Sequence, residues 1–272
     1  MSFITLTITC DEEKREFLIA ELSLFPFDAF EETETGLLAS CEKDDYEPEE
    51  VKEVLDRYKV EYQVEEVEKV NWNEEWEKNY DPVIVGDQCI VRATFHEPKP
   101  EFPYEIIITP KMSFGTGHHA TTWQVLKYQL DLDQTGKKVI DVGCGTGALA
   151  IMSHLRGATD ISAVDIDDWC IENSEENFAL NGCKHIKLKL GGIEVIPETE
   201  QFDVMLVNIN KNVLLEQMTD YEKRLAPNGV LILSGFYRED IADLRASAES
   251  LGLTYSTESE RNRWAMLAFE KK

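Results

Sequence analysis

From residue 136 onward the chain alternates apolar runs of strand length with segments of helical spacing, and this rhythm limits the fold more than any other feature. KKVIDVG is followed by TGALAIMSHLRG, ISAVDI by DDWCIENSEENFALNG, and FDVMLVNI by KNVLLEQMTDYEKRLAPNG. HIKLKLG and VLILSGF add two more strands, and REDIADLRASAESLG another helix. Strands separated by helices must lie parallel, because each crossover needs a helix on a sheet face. The predicted fold class is therefore α/β, a doubly wound Rossmann-like sheet. LTYSTESE and RWAMLAFEKK have no helix between them, which predicts an antiparallel hairpin at one edge. The helix begun at Lys211 is predicted to close in the Pro-Asn-Gly turn at 227–229.

The first 70 residues read differently. FITLTIT (3–9) and YQVEEVEKV (62–70) alternate as half-buried strands. EEKREFLIAELSLF (12–25) and PEEVKEVLDRY (48–58) carry helical spacing, the latter with proline in its first turn. Residues 27–42 are strand material with a turn near Gly36. A small α+β domain of ferredoxin-like type is expected over residues 1–70, serving as a docking module. Residues 71–82, with Trp72 and Trp76 one helical turn apart, are read as a linker helix. The catalytic domain is then 83–272, with two strands expected in 83–95 and 104–109.

The net charge is −26, from 53 acidic and 27 basic residues. Such a surface repels phosphate backbones and attracts basic partners, so no direct nucleic-acid binding is expected. No 18-residue apolar run and no signal-like N-terminus are present, which predicts a cytoplasmic protein without a membrane span. The six cysteines form no CxxC pair, and neither a zinc site nor a disulfide framework is expected. Oligomeric state is not legible.

The chemistry concentrates at VIDVGCGTGALA (139–150), a glycine-rich turn between strand and helix. Gly143, Gly145 and Gly147 permit a sharp turn and close approach of a ligand to the backbone. Asp165, ending the next strand, is placed to accept both hydroxyls of a ribose. Gly143-x-Gly145-x-x-Ala148 also fits a dinucleotide fingerprint. Asp141 and the early Gly147 favour S-adenosylmethionine, whose sulfonium suits an acidic pocket. Asn208, in VNINKN at the end of the fourth strand, can orient an amine through its amide oxygen or orient the cofactor's adenine edge, and the sequence does not separate the two roles.

A further motif, FGTGHHATT (114–122), precedes this core. Together with DVGCGTGALAI, AVDID, NFALNG, VNI and LILSG in order, it resembles the PrmA family, bacterial class I methyltransferases of large-subunit ribosomal protein L11. The resemblance covers residues 104–236. It implies methyl transfer from S-adenosylmethionine to lysine and N-terminal amines of that basic protein, by in-line displacement. It implies cofactor contacts at Thr122, Gly143, Asp165 and Asn208. The loop is expected to fold over the cofactor, with Phe114 covering the methionine end or substrate channel. Phe114 and Asn208 are thus the candidate catalytic residues. No metal role is expected for His118 or His119; a cap or turn role is, with proton uptake from the amine as a further possibility. Where the family has DPG, HPTT and NIL, this chain has Thr109-Pro110-Lys111, His119-Ala120-Thr121-Thr122 and Asn208-Ile209-Asn210. The alternatives are a methyltransferase of another protein or a small molecule, an NAD-dependent oxidoreductase, which would prefer NAD, and a silent cofactor-binding protein, which would bind without turnover.

Overall fold

The computed structural model describes residues 2–68, 77 and 79–272. The expected linker helix with Trp72 and Trp76 falls largely outside them. The chain divides into two compact units, Met1–Tyr80 and Asp81–Lys272.

The first unit runs β1 (Ser2–Thr9), α1 (Glu12–Leu22), β2 (Phe27–Thr33), β3 (Gly36–Glu42), α2 (Pro48–Tyr58) and β4 (Glu61–Glu68). Its four strands form an antiparallel sheet in the order β2-β3-β1-β4. The alternation read in β1 holds: Ile4, Leu6 and Ile8 are buried, with Leu18 and Leu22 of α1 and Val51, Val54 and Leu55 of α2 in the same core. Asp11 caps α1 by accepting from Lys14 N at 2.9 Å. The strand material at 27–42 is a full hairpin. At Gly36 a Cβ would collide with the Ile8 carbonyl, so the residue keeps β3 close to β1.

The second unit opens with a three-stranded sheet of β5 (Val83–Val85), β6 (Cys89–Ala93) and β7 (Tyr104–Ile108). The single strand expected over 83–95 is two, because Gly86 turns the chain at φ +61°. After α3 (Ala120–Asp131) come β8 (Lys138–Val142), α4 (Ala148–Leu155), β9 (Asp160–Asp165), α5 (Asp168–Leu180), β10 (Lys187–Leu190) and β11 (Phe202–Asn208). Then follow α6 (Lys211–Arg224), β12 (Leu225–Tyr237), α7 (Ile241–Ser250), β13 (Leu253–Arg261) and β14 (Trp264–Lys271). The large sheet has the order β10-β9-β8-β11-β12-β14-β13. All pairings are parallel except those of β14, which runs against both β12 and β13. The doubly wound class is thus observed, with its edge hairpin. Helices on both faces explain why β8 and β11 are nearly continuous apolar runs.

One boundary differs. The helix from Lys211 stops at Arg224, and Leu225 already pairs with Phe202 as a strand. Pro227 lacks the N–H that a helix would need and disfavours helical backbone at Ala226 before it.

Candidate active site

Strand order reverses between β8 and β11. Their helical crossovers leave in opposite directions, so their carboxyl ends border an open crevice. A cleft of about 520 Å³ lies there. Its floor is built from the ends of three strands: Gly143 and Gly145 after β8, Asp165 ending β9, and Asn208 ending β11.

The glycine turn owes its shape to conflicts that any side chain would create. Gly145 has φ +55°, and a Cβ there would strike the carbonyl of Phe114. Gly143 has φ +73°, and a Cβ would strike Ile209. Gly143 N and Cys144 N both reach the Val164 carbonyl, at 2.9 and 3.1 Å, which locks the turn to the end of β9.

Asp165 is buried, and its carboxylate accepts from Gly145 N at 2.8 Å and Asp167 N at 3.1 Å. A carboxylate offers about four acceptor positions, so these two backbone bonds leave it able to accept from hydroxyl donors. Asp141, wholly buried beneath the turn, accepts from Ala150 N at 3.1 Å through one oxygen, while the other has no partner. Burial raises its pKa to about 7, against the smaller opposing effect of the Ala150 hydrogen bond. Asn208 donates to Thr122 Oγ1 at 3.3 Å, and its amide oxygen is buried without a partner. An unpaired buried amide oxygen is costly.

The Phe114 loop closes over this floor. Thr146 N donates to the Phe114 carbonyl at 2.8 Å, and Thr146 Oγ1 donates to the Gly115 carbonyl at 2.9 Å. The loop therefore rests on the glycine turn. Gly115, at φ +108°, is needed because a Cβ would crowd the Thr146 hydroxyl.

A family model described as ribosomal protein L11 methyltransferase (PrmA) matches residues 5–272. The chain belongs to this family. A ribosomal protein L11 methyltransferase of Porphyromonas gingivalis is 44% identical over 264 residues, covering 95% of this chain and 91% of that protein. One from Phocaeicola vulgatus is 40% identical over 281 residues, covering both proteins fully. Among solved structures, a ribosomal protein L11 methylase from Lactobacillus delbrueckii subsp. bulgaricus superposes with a TM-score of 0.66 at 26% identity, over 71% of this chain and all of that one. The fold is accordingly that of a class I methyltransferase, and this member of the PrmA family is an enzyme.

Of the residues singled out in the sequence, Phe114, Gly143, Gly145, Asp165 and Asn208 line the cleft. Thr122 lies behind Asn208, against a small cavity bordered also by Phe114 and Gly143. It meets the cleft only through its hydrogen bond to the Asn208 amide. Gly147 starts α4 as its N-cap with φ +77°, and a Cβ there would press on Phe178 at 2.5 Å. Its bareness serves helix packing.

The two histidines separate. His118 Nε2 sits 2.9 Å from the Asp81 carbonyl and Nδ1 3.0 Å from Thr116 Oγ1. His119 caps α3, its Nδ1 accepting from Thr121 N at 3.4 Å. Its ring lies 5.1 Å from Phe114 and 4.5 Å from Trp264 on the cleft wall. Burial lowers its pKa, which favours the neutral ring, and the cap contact from Thr121 N assigns the accepting role to Nδ1 and the proton to Nε2.

The apolar mouth was not foreseen. Met112, Ile166, Trp169 and Phe114 are 95%, 75%, 54% and 51% exposed, and all four border the cleft. Phe114 stands out in its loop, but Met112, Ile166 and Trp169 are unremarkable in their own segments, and only the fold gathers them beside it. Asp165, Asp167 and Cys170 also place ligand-type atoms within 4.8 Å of one another. Burial raises the Cys170 pKa, leaving a thiol there rather than a thiolate. Among the described residues no helix is long and apolar enough to cross a membrane.

Proposed function

We propose that this enzyme transfers methyl groups from S-adenosylmethionine to amines of ribosomal protein L11, at lysine side chains and the N-terminus. The observation that carries the reading is Asn208: a buried amide oxygen without a partner at the strand-order reversal, beside a glycine turn and a strand-end carboxylate. The cleft fits such a cofactor. Its volume falls within the range of about 300–1,000 Å³ typical of small-ligand sites. Asp165 would take the ribose hydroxyls, and Gly143 and Gly145 would allow close backbone approach. Bound there, S-adenosylmethionine supplies a methyl group already activated by its sulfonium.

The rest is positioning by the chain itself. An acceptor lysine must lose a proton, and its usual pKa is about 10.4. The apolar mouth of Met112, Phe114, Ile166 and Trp169 would strip water from the ammonium and lower that value. His119 is not the base in this reading, because Nε2 carries a proton and Nδ1 is engaged by the helix cap. The proton leaves to water. The Asn208 oxygen then accepts an amine N–H and turns the nitrogen lone pair into the cleft. Thr122 holds the Asn208 amide in that orientation, and Phe114 excludes solvent.

The first unit is the docking module in this reading. It carries 24 acidic and 8 basic residues among 1–80, a net charge of −16, which favours a basic ribosomal protein in the cytoplasm. The test is transfer of label from radioactive S-adenosylmethionine to ribosomal proteins of a strain lacking this gene. Label confined to L11 is expected. Label on another protein would move the substrate, and cofactor binding without label would point to a small-molecule acceptor or a silent protein.

A further inference from the structure

The motif NFALNG was noted only as part of a resemblance, yet its asparagines make a specific structure. β7 pairs with β6 along one edge. On its other edge the backbone groups of Ile107, and of Thr109 just beyond the strand, meet side-chain amides from α5 and the residue after it. Asn181 accepts from Ile107 N at 2.9 Å and donates to Ile107 O at 2.6 Å. Asn177 accepts from Thr109 N at 2.8 Å, and Asn173 donates to Thr109 O at 3.1 Å. Two residues of strand advance about 6.6 Å and four of helix about 6.0 Å. Amides spaced by four can therefore pair with strand residues spaced by two.

Asn177 does something its two neighbours do not. Its Nδ2 also donates to the Thr146 carbonyl at 2.9 Å. One carboxamide thus joins Thr109, at the root of the Phe114 loop, to Thr146 in the glycine turn. Thr146 in turn holds Phe114 and Gly115. The loop is closed into a ring whose clasp is Asn177. Both Asn177 and Thr146 are wholly buried, so water offers no substitute partner.

We propose that Asn177 is a positioning residue for the cleft: it sets the height of the Phe114 loop over the glycine turn, and through it the affinity for the cofactor. The proposal rests on the reading that the cleft takes S-adenosylmethionine.

Asn177→Asp is the informative variant. The carboxylate still accepts from Thr109 N but opposes the Thr146 carbonyl; the protonated acid can donate to that carbonyl and restore the clasp. Titratable groups on the surrounding segments are Glu176 and Lys111, which pair with each other at 2.5 Å, Asp165, Cys144 and Asp141. Because Asp141 titrates in the same window, each variant is compared with wild type at every pH. Two readouts are used on the full chain: calorimetric affinity for S-adenosylhomocysteine, and hydrogen exchange of residues 109–117 without ligand, corrected for intrinsic rates.

At alkaline pH we expect Asn177→Asp to bind about tenfold or more weakly than wild type, the factor for one buried hydrogen bond turned repulsive. Exchange at 109–117 should be faster there. Both differences should shrink as pH falls. Asn181→Asp, which touches the strand but not the turn, should lower the melting temperature without pH-dependent loss of affinity. Asn177→Ser, unable to span both partners, should bind weakly at every pH and covers the case in which the aspartate variant does not fold. Wild-type affinity and exchange in Asn177→Asp throughout, or the same acid-recovered loss in Asn181→Asp, would overturn the clasp. A wild type that binds no S-adenosylhomocysteine would sink the cofactor reading instead, and the exchange data would still decide for or against the clasp.

Discussion

The two units of this chain handle charge in opposite ways. Residues 1–80 carry a net charge of −16, which leaves only −10 for residues 81–272. The cleft floor in the second unit relies on glycines, one neutral amide and a single strand-end carboxylate already engaged by two backbone N–H groups. A diffuse field acts over about a Debye length and captures a partner; contacts at hydrogen-bond distance act only on what is already seated. In the proposed reading recognition belongs to the first unit and chemistry to the second, and that division can be attacked directly.

The largest effect should come from removing residues 1–80. Methyl transfer to L11 is expected to fall below detection while calorimetry finds cofactor affinity unchanged. Persistent transfer would collapse the distinction between the units. Next comes Asn208→Ala, expected to reduce kcat/KM about a hundredfold through lost alignment, read by single-turnover kinetics; full turnover would remove Asn208 from the mechanism. Gly145→Ala tests the floor from the backbone side. A residue with φ +55° and a Cβ against the Phe114 carbonyl should destabilise by about 2 kcal/mol or more, visible in denaturant titrations, and weaken cofactor binding.

Asp141 gives a smaller, pH-dependent effect. Its folded pKa of about 7 lies above the ordinary carboxylate value of 3.8. Below both values the acid is protonated in either state and contributes nothing. Between them the unfolded chain ionises while the folded chain keeps its proton, so stability falls as pH rises through this window and levels off above it. Asp141→Asn should therefore gain stability relative to wild type, by an amount on the order of a few kcal/mol, as pH climbs from 4 to 8. Parallel curves for the two proteins would contradict this. The smallest change is expected for His119→Gln: a cap loss of about 1 kcal/mol in stability, with an unchanged pH–rate profile. A displaced profile would return the histidine to the proton path.

What could be read beforehand divides along a physical line. The glycine turn, Asp165 and Asn208 were legible because strand–turn–helix spacing alone puts them at one end of a parallel sheet. The hairpin at Gly86 and the early stop at Arg224 were not, since a single glycine in an apolar run and a proline after a helical pattern each allow more than one boundary. The mouth of Met112, Ile166 and Trp169 depends on segments meeting across the fold. Asn173, Asn177 and Asn181 carry a helical period, but a polar stripe on a helix ordinarily faces solvent. Nothing local says that this one faces a strand edge.

That edge has a consequence for how any peptide can arrive. An unpaired strand edge invites a visiting chain to add itself as a further strand. At Ile107 and Thr109 the backbone groups are already engaged by the asparagines of α5 and Asn181. A flexible tail bearing the acceptor amine therefore gains no main-chain register from β7. In the proposed reading the tail enters across the exposed apolar rim, where grip would come from side chains and would permit sliding. A rim of that kind can serve several amines along one tail, whereas a zipped strand would hold a single residue in place.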